Sequence, residues 1–230
     1  MQQLALDMGL ICSPTLANFV VGPNAQAHQH LRLWLDQPDA STALRSPVPI
    51  YLWGSSGSGK THLLHAVHAA LLDQGQSAGW LSANAAGTPD FDERWSVVLM
   101  DDVQAFDVRQ QHMAFNWFIN AQTRQIAVIA AGSLPPTDLN LRDDLRTRLG
   151  WGHVLALQVL GEPQRREVLR ASAHARGLTL SDEVMDFMLT RFSRDLGSLM
   201  ALLDLMDGYA LQTRRAITIS LIKTMMDNAT

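Results

Sequence analysis

Two kinds of apolar pattern alternate along the chain up to about residue 160. Short runs of consecutive apolar residues predict strands that are buried on both faces, and segments whose apolar residues recur every three or four positions predict helices. The predicted strands are 50–53, 78–83, 97–100, 126–131 and 154–157. The predicted helices are 28–35, 61–73, 110–122 and 141–149. Their alternation indicates an α/β fold with a parallel sheet covered by helices on both faces.

The pattern changes after residue 161, where helical spacing continues without a strand-like run. Gly177 and Ser181 are the expected stop and N-cap between the first two of these helices. We expect a peptide and linker at 1–15, the α/β domain at 16–161 and a small all-helical domain at 162–230. The helices predicted for the last part are 164–176, 181–192, 195–211 and 220–226.

Composition is that of an ordinary globular protein. The 230 residues are 47% hydrophobic and 17% charged, and the net charge of −4 argues against a protein that coats nucleic acid by bulk electrostatics. The single cysteine, Cys12, excludes an internal disulfide and a cysteine-based zinc site. Neither a signal peptide nor an apolar run long enough to span a membrane is visible, so we expect a soluble intracellular protein.

A glycine-rich segment follows the first predicted strand and precedes a predicted helix. It has the spacing Gly-x-x-x-x-Gly-Lys-Thr, in which backbone N–H groups surround phosphate oxygens, the lysine reaches the β- and γ-phosphates and the threonine hydroxyl binds Mg²⁺. Only two of the 18 basic residues are lysines, and one of them stands at the position this motif requires. We therefore expect a site for ATP or ADP with Mg²⁺. Its phosphate-binding residues are Gly54, Ser55, Ser56, Gly57, Ser58, Gly59, Lys60 and Thr61.

Two carboxylates follow the predicted strand 97–100. The carboxyl ends of parallel strands line the crevice in which open α/β sheets bind ligands. We expect Asp101 to share the Mg²⁺ shell with Thr61, and Asp102 to orient or polarise the attacking water.

Three histidines lie three residues apart at the start of the helix after the glycine-rich loop. A metal site at His62, His65 and His68 is one interpretation, but steps of three drift around a helix and no carboxylate joins them. Packing and surface roles fit the spacing better. His62 adjoins the phosphate loop and is counted with the nucleotide site.

Several motifs resemble the DnaA group within the AAA+ ATPases. They are Gly-Lys-Thr-His-Leu-Leu-His-Ala at 59–66, Asp-Asp-Val-Gln at 101–104 and Phe-Val-Val-Gly-Pro-Asn at 19–24. The last resembles the motif that lies beside the adenine in that group, which implies this role for Phe19, Val20 and Val21. From its residues alone, segment 18–24 is predicted to be a brief extended piece that ends in a turn. The resemblance implies an AAA+ P-loop NTPase domain followed by a helical lid domain.

Two further segments resemble motifs that place arginines in this group. Leu-Arg-Thr-Arg-Leu-Gly-Trp-Gly at 145–152 is similar to the segment with the arginine finger, which implies that Arg148 acts in trans on a neighbouring subunit's ATP. Ser-Arg-Asp-Leu at 193–196 is similar to the sensor II motif and implies that role for Arg194. The alternative for Arg148 is an ordinary surface arginine.

The N-terminus begins Gln-Leu-Ala-Leu-Asp-Met at residues 3–8, which resembles the short peptides that dock on the β sliding clamp of DNA polymerase III. Leu4, Leu6 and Met8 alternate, so an extended chain would present them on one side, with Gln3 leading. A disordered apolar tail is the alternative. We expect no C-terminal DNA-reading helix-turn-helix domain, and the combination resembles the Hda family of regulatory inactivators of DnaA.

This resemblance implies a negative regulator of replication initiation in the bacterial cytoplasm, which docks on the clamp and stimulates hydrolysis of ATP on DnaA. The fourth strand is followed by Gly132 and Ser133 where a polar sensor I residue is expected, so intrinsic ATPase activity should be weak. The sequence leaves the oligomeric state open, with self-association through the Arg148 face as one option. One alternative is an autonomous AAA+ ATPase, such as a helicase loader or remodelling factor. Another is a nucleotide-dependent DNA-binding module with a basic helix face at Arg165, Arg166, Arg170 and Arg176.

Overall fold

The first part of the chain is built around one parallel sheet. The computed structural model describes residues 14–36, 45–84, 90–191, 196–213 and 217–227. Five strands lie in the order β2-β3-β4-β1-β5, and every neighbouring pair is parallel. The strands are β1 (Ile50–Trp53), β2 (Ser77–Ser82), β3 (Trp95–Asp101), β4 (Ala127–Gly132) and β5 (His153–Ala156).

Helices cover both faces of this sheet. Alternate strand residues point to opposite faces, so Leu99 and Ile129 join one apolar core and Val98 and Val128 the other. The first core also includes buried residues of α1 and α2, and the second includes those of α3 and α4. The helices are α1 (Ala25–Asp36), α2 (Lys60–Asp73), α3 (Val108–Thr123) and α4 (Asp143–Leu149).

The chain divides into two compact units after Val159. The second unit is helical in its described residues, and an apolar cluster of its own holds its helices together. Gly177 has a φ of +71° at the end of the first of these helices, which confirms it as a stop. The helices are α5 (Glu162–Ala175), α6 (Asp182–Arg191), α7 (Leu196–Thr213) and α8 (Ile219–Asp227).

The α/β class, the parallel sheet and the helical lid are confirmed, and predicted strand ends differ from the observed ones by two residues at most. In segment 18–24 the predicted turn is confirmed as a short 3₁₀ turn at Gly22–Asn24, but the predicted extended piece before it is wrong, because the chain forms bends there. The turn forms because Gly22 has a φ of +45° and Asn24 N donates to Val21 O at 2.8 Å. No helix in the ranges given above is long and apolar enough to cross a membrane.

Candidate functional site

The glycine-rich loop lies between β1 and α2, and its backbone accepts only glycine at key points. Gly57 and Gly59 have φ values of +76° and +96°. A Cβ at Gly54 would lie 2.2 Å from Leu157 O, and one at Gly59 would lie 2.7 Å from Cε2 of Phe19. The loop therefore passes close to its neighbours and leads directly into the N-terminus of α2, where backbone N–H groups are available to an anion.

Lys60 is buried at the first turn of α2, and its Nζ donates to Gly54 O at 2.7 Å and to Ser55 O at 3.0 Å. Burial lowers the pKa of the Lys60 ammonium, and the carboxylates of Asp101 and Asp102 oppose that shift. This arrangement holds a positive charge beneath the loop, where phosphate oxygens would need it.

The Ser58 hydroxyl is a polar atom that burial leaves unsatisfied. Its Oγ is fully buried and finds no hydrogen-bond partner in the parts of the chain that are described. Buried polar groups are rarely left in this state, so the loop has capacity for a further polar ligand. Together with the glycine geometry, this fits a phosphate-bearing nucleotide held by residues 54–61.

Asp101 ends β3, is buried, and lies near the Thr61 hydroxyl at the start of α2. Burial raises the pKa of the Asp101 carboxyl, and the nearby Thr61 hydroxyl opposes the shift. The structure thus brings together the two oxygen ligands predicted for Mg²⁺, and both are of the hard oxygen type that this ion prefers. Asp102 follows with a φ of +52°, and its N–H donates to Asp101 Oδ1 at 3.0 Å.

Gln104 links the carboxyl ends of β3 and β4. Its Nε2 donates to Asp102 Oδ1 at 3.1 Å, and its Oε1 accepts from the Ser133 N–H at 2.9 Å. Sequence reasoning assigned this residue no role, although it lies within the motif at 101–104. A Cβ at Gly132 would lie only 2.1 Å from the Tyr51 hydroxyl, so the position that precedes Ser133 has no room for a sensor I side chain.

The motif at 19–24 packs beside the phosphate loop. The Phe19 ring stacks on His28 at 5.8 Å between centroids and lies 5.5 Å from His62, whose Nε2 is hydrogen-bonded to Thr15 O at 3.1 Å. Val20 and Val21 are half-buried next to them. The structure therefore brings Phe19 and His62 together beside Gly59, as a nucleotide site assembled from both segments requires.

Asn24 ties this motif to the end of the sheet. Its side-chain amide donates to Gln158 O at 2.9 Å, and its Oδ1 accepts from the Gln158 N–H at 2.8 Å. The two residues are 134 positions apart in sequence, so local pattern reasoning had no means of finding the pair.

The other two histidines of α2 pack on an aromatic side chain. His65 stacks on Trp80 with centroids 4.4 Å apart, and His68 lies 5.8 Å from the same ring. No group of three or more metal-ligating side chains occurs among the residues described. The packing interpretation of these two histidines agrees with this geometry.

The arginines of α4 and its entry differ in their partners. Arg142 pairs with Asp144 at 2.6 Å, and Arg146 pairs with Asp143 at 2.6 Å. Arg148 has no carboxylate within salt-bridge distance in the described ranges. Its Nη1 donates instead to a neutral acceptor, Oε1 of Gln122, at 2.8 Å.

Five predicted functional residues lie outside the described residues. They are the sensor II candidate and the four residues of the clamp-like peptide: Arg194, Gln3, Leu4, Leu6 and Met8. Their roles stay predictions.

Two segments of the chain match the models of known protein families. The lid domain of Hda matches residues 162–226, and the ATPase domain of bacterial DnaA matches residues 12–84. An uncharacterized protein of Haemophilus influenzae is 32% identical over 235 residues, which cover 98% of this chain and 99% of that protein.

Solved structures give the same fold. Domain III of the replication initiation protein DnaA from Thermotoga maritima superposes with a TM-score of 0.77 at 20% identity, over 93% of this chain and 95% of that one. AMPPCP-bound DnaA from Aquifex aeolicus gives 0.66 at 24% identity, over 84% of this chain and 64% of that one. A RuvB variant from T. maritima gives 0.63 at 15% identity, over 93% and 71%. The chain belongs to the DnaA-related AAA+ proteins and has a lid domain of the Hda type.

Proposed function

We propose that this protein is a regulator that binds adenine nucleotide at residues 54–61 and stimulates hydrolysis of ATP bound to DnaA by presenting Arg148 in trans. The observation that supports it most is the set of partners around α4. Arg142 and Arg146 are paired with carboxylates of their own segment, whereas Arg148 is hydrogen-bonded to a neutral amide oxygen. An arginine that stabilises charge on another subunit's phosphate needs a guanidinium free of such a pair.

The nucleotide-binding part rests on several independent features of one loop. The glycine conformations, the buried Lys60 and the unsatisfied Ser58 hydroxyl all suit a bound phosphate group. Thr61 and Asp101 would hold Mg²⁺, which supplies charge neutralisation between phosphates when bound. A DnaA relative binds the ATP analogue AMPPCP. The resident nucleotide is thus ADP or ATP.

The same site is poorly equipped for rapid turnover. Gly132 offers no side chain at the end of β4, and Asp102 is engaged by the Gln104 amide. A carboxylate held in that way is less free to orient water. The nucleotide then acts mainly as a structural ligand, and the hydrolysis that this protein promotes takes place in the P-loop of DnaA.

Two further parts of the proposal concern residues outside the described ranges. In this proposal the peptide with Gln3, Leu4, Leu6 and Met8 docks on the β sliding clamp, which brings the protein to replication complexes in the cytoplasm. Arg194 contacts the bound nucleotide as sensor II. Self-association through the Arg148 face would compete with DnaA for the same arginine.

The DNA-binding alternative is disfavoured by the lid. Four arginines within or directly after α5 were predicted to form a basic helix face in this alternative, and three of them are paired with carboxylates of the same unit. The pairs are Arg166 with Asp186, Arg170 with Asp182, and Arg176 with Asp204. The remaining one, Arg165, donates to the backbone oxygen of Leu160 at 3.1 Å.

A pair of arginine variants tests the proposal. Stimulated hydrolysis of DnaA-bound ATP is measured in the presence of DNA-loaded clamp for wild type, Arg148→Ala and the matched control Arg146→Ala. A finger in trans contributes roughly 10³- to 10⁵-fold to phosphoryl-transfer rates, so Arg148→Ala should return DnaA to its unstimulated rate. Arg146→Ala should keep most of the stimulation, because its charge is already paired. Undiminished stimulation by Arg148→Ala would refute the finger.

A second measurement addresses the main rival. An autonomous helicase loader or remodelling ATPase should turn over ATP steadily without DnaA. We expect purified protein to retain its nucleotide through many DnaA turnovers. Loss of clamp binding in a Leu4→Ala, Leu6→Ala double variant would support the docking peptide, and unchanged binding would remove it from the proposal.

A further inference from the structure

The guanidinium of Arg148 lies close to three aromatic rings, those of Phe115, Phe118 and Trp151. The Arg148 Cζ is 4.6 Å from the centroid of the Trp151 ring, 5.3 Å from that of Phe115 and 6.0 Å from that of Phe118. All three distances lie within the range of a cation–π contact, and tryptophan is the strongest partner of this kind. Trp151 is also the nearest ring and the one furthest out in solvent, with 55% of its surface exposed.

Trp151 is held firmly to the sheet although its ring is exposed. The backbone N–H of Trp151 donates to the backbone oxygen of Arg148 at 3.1 Å, at the end of α4. The next residue, Gly152, lies so close to Pro49 that a Cβ there would be 1.9 Å from Pro49 O. His153 N then donates to the same oxygen at 2.8 Å as β5 begins beside β1. The turn that bears the ring is therefore fixed at the point where α4 meets the sheet.

This kind of contact orients a guanidinium without neutralising it. A carboxylate would compete with any incoming phosphate for the same charge, whereas a ring face leaves the N–H groups at the guanidinium edge available. Of the five donors on Arg148, the described structure pairs one, the Nη1 that reaches Gln122 Oε1. A free arginine side chain also has many rotamers, and fixing it in advance removes an entropic cost from the step in which it meets its target.

We propose that Trp151 is a positioning residue for the trans-acting Arg148. It holds the guanidinium at the face of α4 in an orientation that is ready for the phosphates of a neighbouring subunit, and the exposed remainder of the ring faces outward with it. The inference rests on the proposed function, because a positioning residue has a catalytic effect only if Arg148 is the finger.

The test compares Trp151→Phe, which keeps an aromatic face, with Trp151→Leu, which keeps an apolar side chain but has none. The matched control is Leu72→Ala, another half-exposed apolar residue of the same unit, on α2. We expect Trp151→Leu to lower the maximal rate of stimulated hydrolysis on DnaA about 3- to 30-fold, the range that loss of a cation–π contact corresponds to. The half-saturating concentration should change less than about threefold, and Trp151→Phe should restore most of the rate.

A spectroscopic measurement reports the contact without DnaA. The Arg148 Nε–Hε signal is assigned in an NMR spectrum of wild type by its absence from Arg148→Ala. A proton above an aromatic ring is shifted by the ring current, so the signal should move in Trp151→Leu and move less in Trp151→Phe. Should Trp151→Leu fail to fold, the signal in Trp151→Phe still tests the contact, because a phenyl ring has a smaller ring current than an indole, and a signal that stays at its wild-type position would overturn the positioning role.

The outcomes separate the two proposals. If Arg148→Ala abolishes stimulation while Trp151→Leu matches wild type in maximal rate, the positioning role is wrong and the proposed function stands. Equal loss in Trp151→Phe and Trp151→Leu would also overturn it, because the ring face would then not be what matters. If Arg148→Ala leaves stimulation intact, the proposed function fails, and the positioning role fails with it.

Discussion

The backbone at Gly132 has no room for a side chain. A Cβ at this position would lie 2.1 Å from the Tyr51 hydroxyl, 3.0 Å from Cγ2 of Val103 and 3.2 Å from Oε1 of Gln104. Tyr51 is 1% exposed and donates its hydroxyl to Leu134 O at 2.8 Å, so it has no alternative position within the core. The substitution Gly132→Ala should therefore force apart two buried groups.

Overpacking of this kind costs about 1–3 kcal/mol, and the shortest contact here is severe enough to place the cost in the upper half of that range. Removal of the hydroxyl by Tyr51→Phe should cost about 1–2 kcal/mol, because the Leu134 carbonyl loses its donor. The double variant loses the hydroxyl that causes the clash. Its total destabilisation should therefore be smaller than the sum of the two single effects, by about 1–2 kcal/mol.

The assay is chemical unfolding of wild type, the two single variants and the double variant, followed by tryptophan fluorescence. For a unit of this size, 2–3 kcal/mol corresponds to a fall of about 4–10 °C in Tm, which thermal unfolding checks independently. Wild-type stability of Gly132→Ala, or strict additivity in the double variant, would refute the account of this position. The same geometry explains why β4 ends without a sensor I side chain.

Three further predictions concern the first unit. Gly59→Ala should weaken ADP binding at least about tenfold, because a φ of +96° and the Phe19 ring both exclude a Cβ; unchanged affinity by calorimetry would contradict the loop geometry. Arg45→Met should lower the free energy of unfolding by about 1–3 kcal/mol, because this buried guanidinium donates to the side chains of two glutamines and to a carbonyl near the end of α1. The exposed control Arg32→Met should lower it by less than about 0.5 kcal/mol, and equal effects of the two substitutions would contradict this prediction. Burial holds the pKa of His62 below its ordinary value of 6.5, so the unfolded chain takes up a proton that the folded chain does not, and stability should fall between about pH 7.5 and 5.5. His62→Gln should reduce this fall in urea unfolding at the two pH values, and an unchanged fall would show that His62 titrates normally.

Patterns local in sequence predicted most of the fold. The central strands are uninterrupted apolar runs, so β1 was found with its observed ends and β3 and β4 within two residues. The glycine-rich loop lies between a strand and a helix as predicted, because its motif fixes both residue type and spacing. The rule that ligands bind at the carboxyl ends of parallel strands predicted that Asp101 lies near Thr61.

What escaped prediction depends on contacts between distant segments. Segment 18–24 has an apolar run like that of a strand, but the chain bends at Gly22, which has a positive φ, and Asn24 pairs with Gln158 just after β5. The bridging role of Gln104 needs β3 and β4 side by side. From the sequence, the finger role was assigned to Arg148 rather than to another arginine near α4 by family resemblance alone. Only the side-chain partners distinguish Arg148 from its neighbours.

In the proposed function, the hydrolysis that this protein promotes takes place in the P-loop of DnaA. The most direct test is a single-turnover reaction in which only DnaA carries ATP labelled at the γ-phosphate, this protein carries ADP, and clamp is loaded on DNA. We expect rapid release of labelled phosphate with wild type and release at the unstimulated rate with Arg148→Ala. Retention of the label on DnaA, together with hydrolysis of ATP at the P-loop of this protein when ATP is supplied to it, would contradict the proposed function.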